Sequence, residues 1–120
     1  MNPAISDRRL ADLALSCLAA PLIWFVHLTA LYGAETLICL SPDADSAGQF
    51  AWATVIATGL GMIGLMALAS AFIRGRGNQK DGEGWAFLLA VGLGLVGMSA
   101  LAMAWNAVPA IMLPVCSAST

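Results

Sequence analysis

The chain has 120 residues, of which 60% are hydrophobic and only 10% charged, and its mean hydropathy is +0.85. A soluble domain carries roughly 25% charged residues, so lipid rather than water must solvate most of this chain. With a net charge of -2 and five Lys and Arg in all, it offers no basic stripe to neutralise a phosphate backbone, which excludes nucleic acid as a partner.

Residues 1–12 are polar, with Ser6 placed to cap a helix and Arg8 and Arg9 at helical spacing from Asp12. They read as a cytoplasmic segment. Two arginines before an apolar run raise a signal peptide, and LALSC up to Cys17 faintly matches a lipoprotein cleavage site. Both readings fail: the run before Cys17 is too short, Leu15 and Ser16 fit a lipobox poorly, and hydrophobicity continues to Leu40.

The first span, 13–40, exceeds the ~20 residues demanded by a hydrocarbon core of about 30 Å, so tilt or projection at one end is expected. Pro21 invites a kink in its first half, with the freed carbonyl taken up by a neighbour such as Cys17 or Ser16. Residues 41–49 combine Pro42, Asp43, Asp45 and Gly48 and read as an exposed periplasmic turn. A second span, 50–73, leads to a cytoplasmic loop, 74–84, with Arg74, Arg76 and Lys80; a third, 85–108, ends in a periplasmic tail, 109–120. All five basic residues lie in the N-terminal segment or the second loop. The positive-inside rule then gives an all-α integral membrane protein of three transmembrane helices, up-down-up, with the N-terminus cytoplasmic and the C-terminus periplasmic. Trp52 and Trp85 open their helices on opposite sides, where indole rings favour the interface.

Spans two and three resemble each other at an offset of 33 residues, Trp52-Ala53 matching Trp85-Ala86 and Ala57 to Gly64 matching Ala90 to Gly97. This would be an inverted repeat, the mark of a transporter-like unit. Alanine, glycine and leucine fill any close-packed span, however, and two helices are too few to enclose a path. Packing is the expected meaning. Ala53, Ala57 and Gly61 are spaced by four, as are Ala86, Ala90 and Gly94, and each row forms a small-residue ridge that permits close antiparallel approach in lipid.

Helix should fail near Pro109, which Pro114 follows. Of the three cysteines, Cys39 and Cys116 would both face an oxidising periplasm, either joined as a disulfide or as two free buried thiols. Cys17 reads as a small apolar core residue. No CxxC or other ligand spacing supports a metal site.

The chemistry-bearing residues inside the membrane cluster in the first span. His27, the only histidine, sits near mid-span, where it could serve as a haem or metal ligand, a proton relay or a donor to a partner subunit. It could equally be satisfied inside the bundle by Thr58, Ser99 or a backbone carbonyl. One histidine cannot supply two imidazoles to a haem, which leaves Met62, Met66 or Met98 as conceivable second ligands. Glu35 lies about 8 Å below the outer end of its helix. It is expected in a polar cluster with Tyr32 and Asn106, with Thr54, Thr58 and Trp105 at the same depth. His27 and Glu35, about 12 Å apart along the axis and ~80° around it, cannot touch. No nucleophile-base pair, paired carboxylates or phosphate loop is present, so no catalytic residue is assigned, and no cofactor is required.

The pattern Pro21-x-x-Trp24-x-x-His27, followed by Tyr32 and Cys39, with Trp105, Pro109, Pro114 and Cys116 at the far end, resembles a small uncharacterised three-helix family of bacterial inner-membrane proteins. Its members are often associated with haem-copper cytochrome c oxidase gene clusters. The resemblance touches both ends of the chain and leaves out the glycine-rich middle. It implies a multi-pass protein of the bacterial inner membrane, acting as a non-catalytic accessory subunit or assembly factor of a respiratory complex, a terminal oxidase foremost. Its partners would be membrane lipid and other integral subunits, with Trp24, His27 and Tyr32 shaping the first helix for packing or contact. Two alternatives stay open: a small proton- or ion-handling component acting as a homo-oligomer, and a haem-binding membrane protein.

Overall fold

A chain whose apolar residues encircle each segment can satisfy its backbone in lipid only by coiling into helix, since every unpaired N–H or C=O there costs several kcal/mol. The computed structural model, which describes residues 3–40, 45–77 and 83–116, contains three such helices. They are α1 (Pro3–Leu40), α2 (Ser46–Gly77) and α3 (Glu83–Met112). Each is long and apolar enough to cross a membrane. At 1.5 Å per residue they measure roughly 57, 48 and 45 Å, and they pack side by side into a body of 66 × 20 × 19 Å.

The helices overrun the hydrophobic spans. α1 starts at Pro3, a residue whose missing N–H costs nothing in a first turn, so Ser6 lies inside the helix rather than capping it. α2 starts at Ser46, before the expected Phe50, and the Asp45 side chain lies over Gly48 at the cap position. α3 passes through Pro109 to Met112, and Leu113 donates to the Pro109 carbonyl at 2.9 Å. Proline removes one backbone bond, to Trp105, and here the helix has only a turn left to run. α1 likewise continues through Pro21. Neither neighbour expected to serve the freed carbonyl does so: Ser16 donates to the Asp12 carbonyl at 2.8 Å, and the Cys17 thiol to the Leu88 carbonyl of α3 at 3.5 Å.

Two stacked layers fill the axis. Leu13, Cys17, Phe72 and Leu89 form the first, and Ala20, Leu65 and Met103 the second, with Leu68, Leu95 and Val96 packed against both. Only 22%, 11% and 22% of the most apolar window of α1, α2 and α3 is buried within the protein. The remainder, including Leu15, Leu22, Phe25, Ile56, Leu60, Ile63, Met66 and Leu101, stands outward as a belt that only lipid or another apolar protein surface could cover.

The small-residue rows divide. Ala53, Ala57 and Gly61 of α2 are half-buried, whereas Ala86, Ala90 and Gly94 of α3 stand exposed on the outward side, and a Cβ on Gly94 would meet nothing within 4 Å. The two ridges therefore do not face each other. α3 instead turns Leu89, Gly92, Ser99 and Met103 inward, and the Met103 side chain fills the notch that Gly61 leaves, where even one added methyl would overlap the Met103 methyl. At Gly92 an added Cβ would lie 3.1 Å from Phe72 and 3.2 Å from the Cys17 sulfur, so three helices close on that point. Large side chains seated in glycine notches replace the ridge-to-ridge contact that the spacing predicts.

The ends of α1 and α3 correspond. Cys17 meets Leu88 and Gly92 near the start of α3. At the other end Cys39 is disulfide-bonded to Cys116, 77 residues away, with 5.4 Å between the Cα atoms. Cys116 has a φ of 64°, a left-handed conformation uncommon outside glycine.

Candidate functional site

Serine and threonine hydroxyls in apolar helices commonly satisfy themselves against the carbonyl one turn back. Ser16, Thr29, Thr36, Thr54 and Ser70 all do so, at 2.8–2.9 Å. Thr58 instead spans two helices: its Oγ1 lies 3.0 Å from His27 Nε2. His27 is 4% exposed, and the Cδ2 edge of its ring lies close to Gly61, whose missing side chain admits both the imidazole and Met103. Of the partners open to the histidine from sequence, Thr58 takes the role and Ser99 does not. The second ring nitrogen, Nδ1, is buried without a partner among the described residues, as is Nε1 of Trp24, one turn earlier on α1. A neutral imidazole has one donor and one acceptor nitrogen, so the Thr58 hydroxyl either donates to Nε2 or accepts from it. For the haem candidate, this placement engages Nε2 with Thr58 and leaves Nδ1 as the nitrogen without a partner among the described residues.

The second polar group lies at the far end of the bundle. Tyr32 and Glu35 of α1 and Asn106 of α3 line one open groove of about 320 Å³. Leu28, Leu31, Phe50, Leu113, Pro114 and Val115 are among its apolar walls. Tyr32 is 64% exposed, Glu35 is exposed, and Asn106 is half-buried. Of the other residues expected at that depth, Thr54 is fully buried and bonded to Phe50, Thr58 is turned to His27, and Trp105 is 77% exposed on the outside. A helix advances 100° per residue, so Trp105 and Asn106 cannot share a face. His27, enclosed in the core, is not among the residues lining the groove.

No protein-family model, curated protein or solved structure matches the chain.

Its site must accordingly be read from its own geometry. Sequence reasoning named the three polar residues of the groove but missed its walls. Phe50 belongs to the first turns of α2, which spacing placed at the edge of a loop, and Pro114 and Val115 belong to the tail expected to leave the membrane. The cysteine pair was the signal that could have placed the tail, since a bond from Cys116 to Cys39 holds Pro114 and Val115 beside α1. Among the described residues no group of three or more His, Cys, Asp or Glu is placed to hold a metal ion.

A groove of this size, largely apolar with a few converging polar groups, has the character of a binding site. Its three polar side chains can accept and donate hydrogen bonds, but they include no nucleophile activated by a base.

Proposed function

We propose that this chain is a non-catalytic accessory subunit or assembly factor of a larger membrane complex, inserted up-down-up with its N-terminus in the cytoplasm. The observation that carries the reading is the outward-open groove in which Tyr32, Glu35 and Asn106 stand among apolar walls. Polar side chains at membrane depth face protein or water-filled cavities far more often than acyl chains. His27, by contrast, is spent on holding α1 to α2.

The distribution of charge supports the orientation. Arg8 and Arg9 open α1, Arg74 lies near the end of α2, and Phe72 packs on Cys17, so these cations gather at one end of the bundle, suiting the cytoplasmic face. The Cys39–Cys116 disulfide is at the opposite end, suiting an oxidising compartment such as the periplasm. The resemblance carried by Pro21, Trp24, His27, Tyr32, Cys39 and the tail supplies the identity of the complex: a respiratory assembly of the bacterial inner membrane, a terminal cytochrome c oxidase foremost.

The test is isolation of the tagged chain from its native membrane in lipid nanodiscs, followed by mass spectrometry and an absorbance spectrum. Stoichiometric recovery of oxidase subunits with their haem bands is expected. Recovery of the chain alone, across several gentle extraction conditions, would overturn the reading.

A further inference from the structure

Among the described residues, the side chain of Glu35 has no cation of its own chain to meet. Arg9, the nearest basic residue on α1, is 26 residues away, about 39 Å along the helix, and Arg74 lies at that same distant end. The remaining basic residues, Arg76 and Lys80, follow it in the sequence. A second copy inserted in the same sense would also carry its cations at the wrong end. Glu35 stands less than two turns from the C-terminus of α1, where the helix dipole disfavours an unpaired anion. Beside it are the phenol of Tyr32, the amide of Asn106 and the apolar walls of Leu28, Leu31, Phe50 and Leu113.

From this constellation we propose that the groove receives a lysine or arginine side chain from a transmembrane helix of a different subunit. The carboxylate supplies the counter-charge, the exposed Tyr32 ring a cation–π face, Asn106 a carbonyl acceptor and the leucines a sheath for the alkyl stem. A zwitterionic amine lipid fits less well. Its phosphate would enter beside Glu35, and among the described residues no basic side chain lines the groove to receive it. This inference rests on the accessory-subunit reading and names the chemistry of the partner's contact.

The probe is a synthetic transmembrane peptide of leucine and alanine carrying a single lysine at the depth of Glu35. Its association with the full-length protein is followed by energy transfer in phosphatidylcholine bicelles. Controls are the same peptide with glutamine for lysine, and with the lysine moved to the opposite end. The lysine peptide is expected to bind the wild type at least tenfold more tightly than either control, and the preference is expected to vanish in Glu35→Gln and to weaken in Asn106→Ala. Equal binding of lysine and glutamine peptides to the wild type would overturn the proposal, as would a preference that survives Glu35→Gln. Loss of the lysine preference on adding phosphatidylethanolamine, with that lipid retained by the wild type and not by Glu35→Gln, would assign the groove to lipid and overturn it as well. The result is independent of which complex co-isolates with the chain: a negative peptide experiment with intact co-isolation refutes only the groove contact, and the converse refutes only the larger role.

Discussion

Replacing Thr58 by valine keeps the β-branched shape and removes the one hydroxyl that reaches His27. Hydrogen bonds between membrane helices average about 0.6 kcal/mol and reach ~1.7 kcal/mol, because the separated helices also find partners. The substitution costs more than that bond, since His27 is 4% exposed and its Nδ1 already lacks a partner among the described residues. Valine would leave the whole imidazole unsatisfied, and a buried orphan group costs about 1–3 kcal/mol. We expect Thr58→Val to destabilise the association of α1 with α2 by about 1–3 kcal/mol, or roughly tenfold in the equilibrium for each 1.4 kcal/mol. Thr58→Ser should stay close to wild type. The assay is reversible unfolding in mixed micelles of rising denaturing-detergent fraction, read by energy transfer between labels on α1 and α2 with the disulfide intact. A cycle with His27→Phe should show coupling, the valine costing little once the imidazole is gone. A Thr58→Val protein within about 0.3 kcal/mol of wild type, or a serine variant as weak as the valine one, would refute the reasoning.

Three further outcomes follow from the packing and the cross-link. Leucine at Gly92, where even a Cβ lies 3.1 Å from Phe72 and 3.2 Å from Cys17, should cost about 1–3 kcal/mol by overpacking in the same unfolding assay. Leucine at Ala90, on the exposed side of α3, should stay within ~0.5 kcal/mol, so equal effects at the two positions would contradict the assigned faces. Of the three cysteines, one should accept a maleimide-polymer label in denaturant before reduction, namely Cys17, and all three after it; labelling of all three beforehand would show that the Cys39–Cys116 bond does not form. A reporter active only outside the cytoplasm, fused after residue 120, should be active, and activity of the same reporter inserted between α2 and α3 would reverse the proposed orientation.

Element type was legible in this chain because hydrophobic runs of this length in lipid have almost no alternative to helix. Helix ends were less so. The transfer of apolar side chains says nothing about how far a helix continues into water, and α1 and α2 overrun their spans through polar turns that hydropathy treats as loop. Which face turned inward was hardest. Residues surrounding each helix are apolar on all sides, so the pattern of Ala86, Ala90 and Gly94 looked as suited to the core as that of Gly92 and Ser99, and only the volume of Met103 and Phe72 decides between them. The polar groove was half-visible. Glu35, Tyr32 and Asn106 announce themselves as hydrogen-bonding groups out of place, but the walls around them depend on the course of the tail.

The bond between Cys39 and Cys116 makes a covalent ring of most of the molecule. A protease that severs the backbone anywhere inside that ring separates no fragments, because each piece keeps one of the two sulfurs. The cleaved protein would migrate at full mass until a reductant is added, so an intact band on a non-reducing gel does not prove an uncut chain.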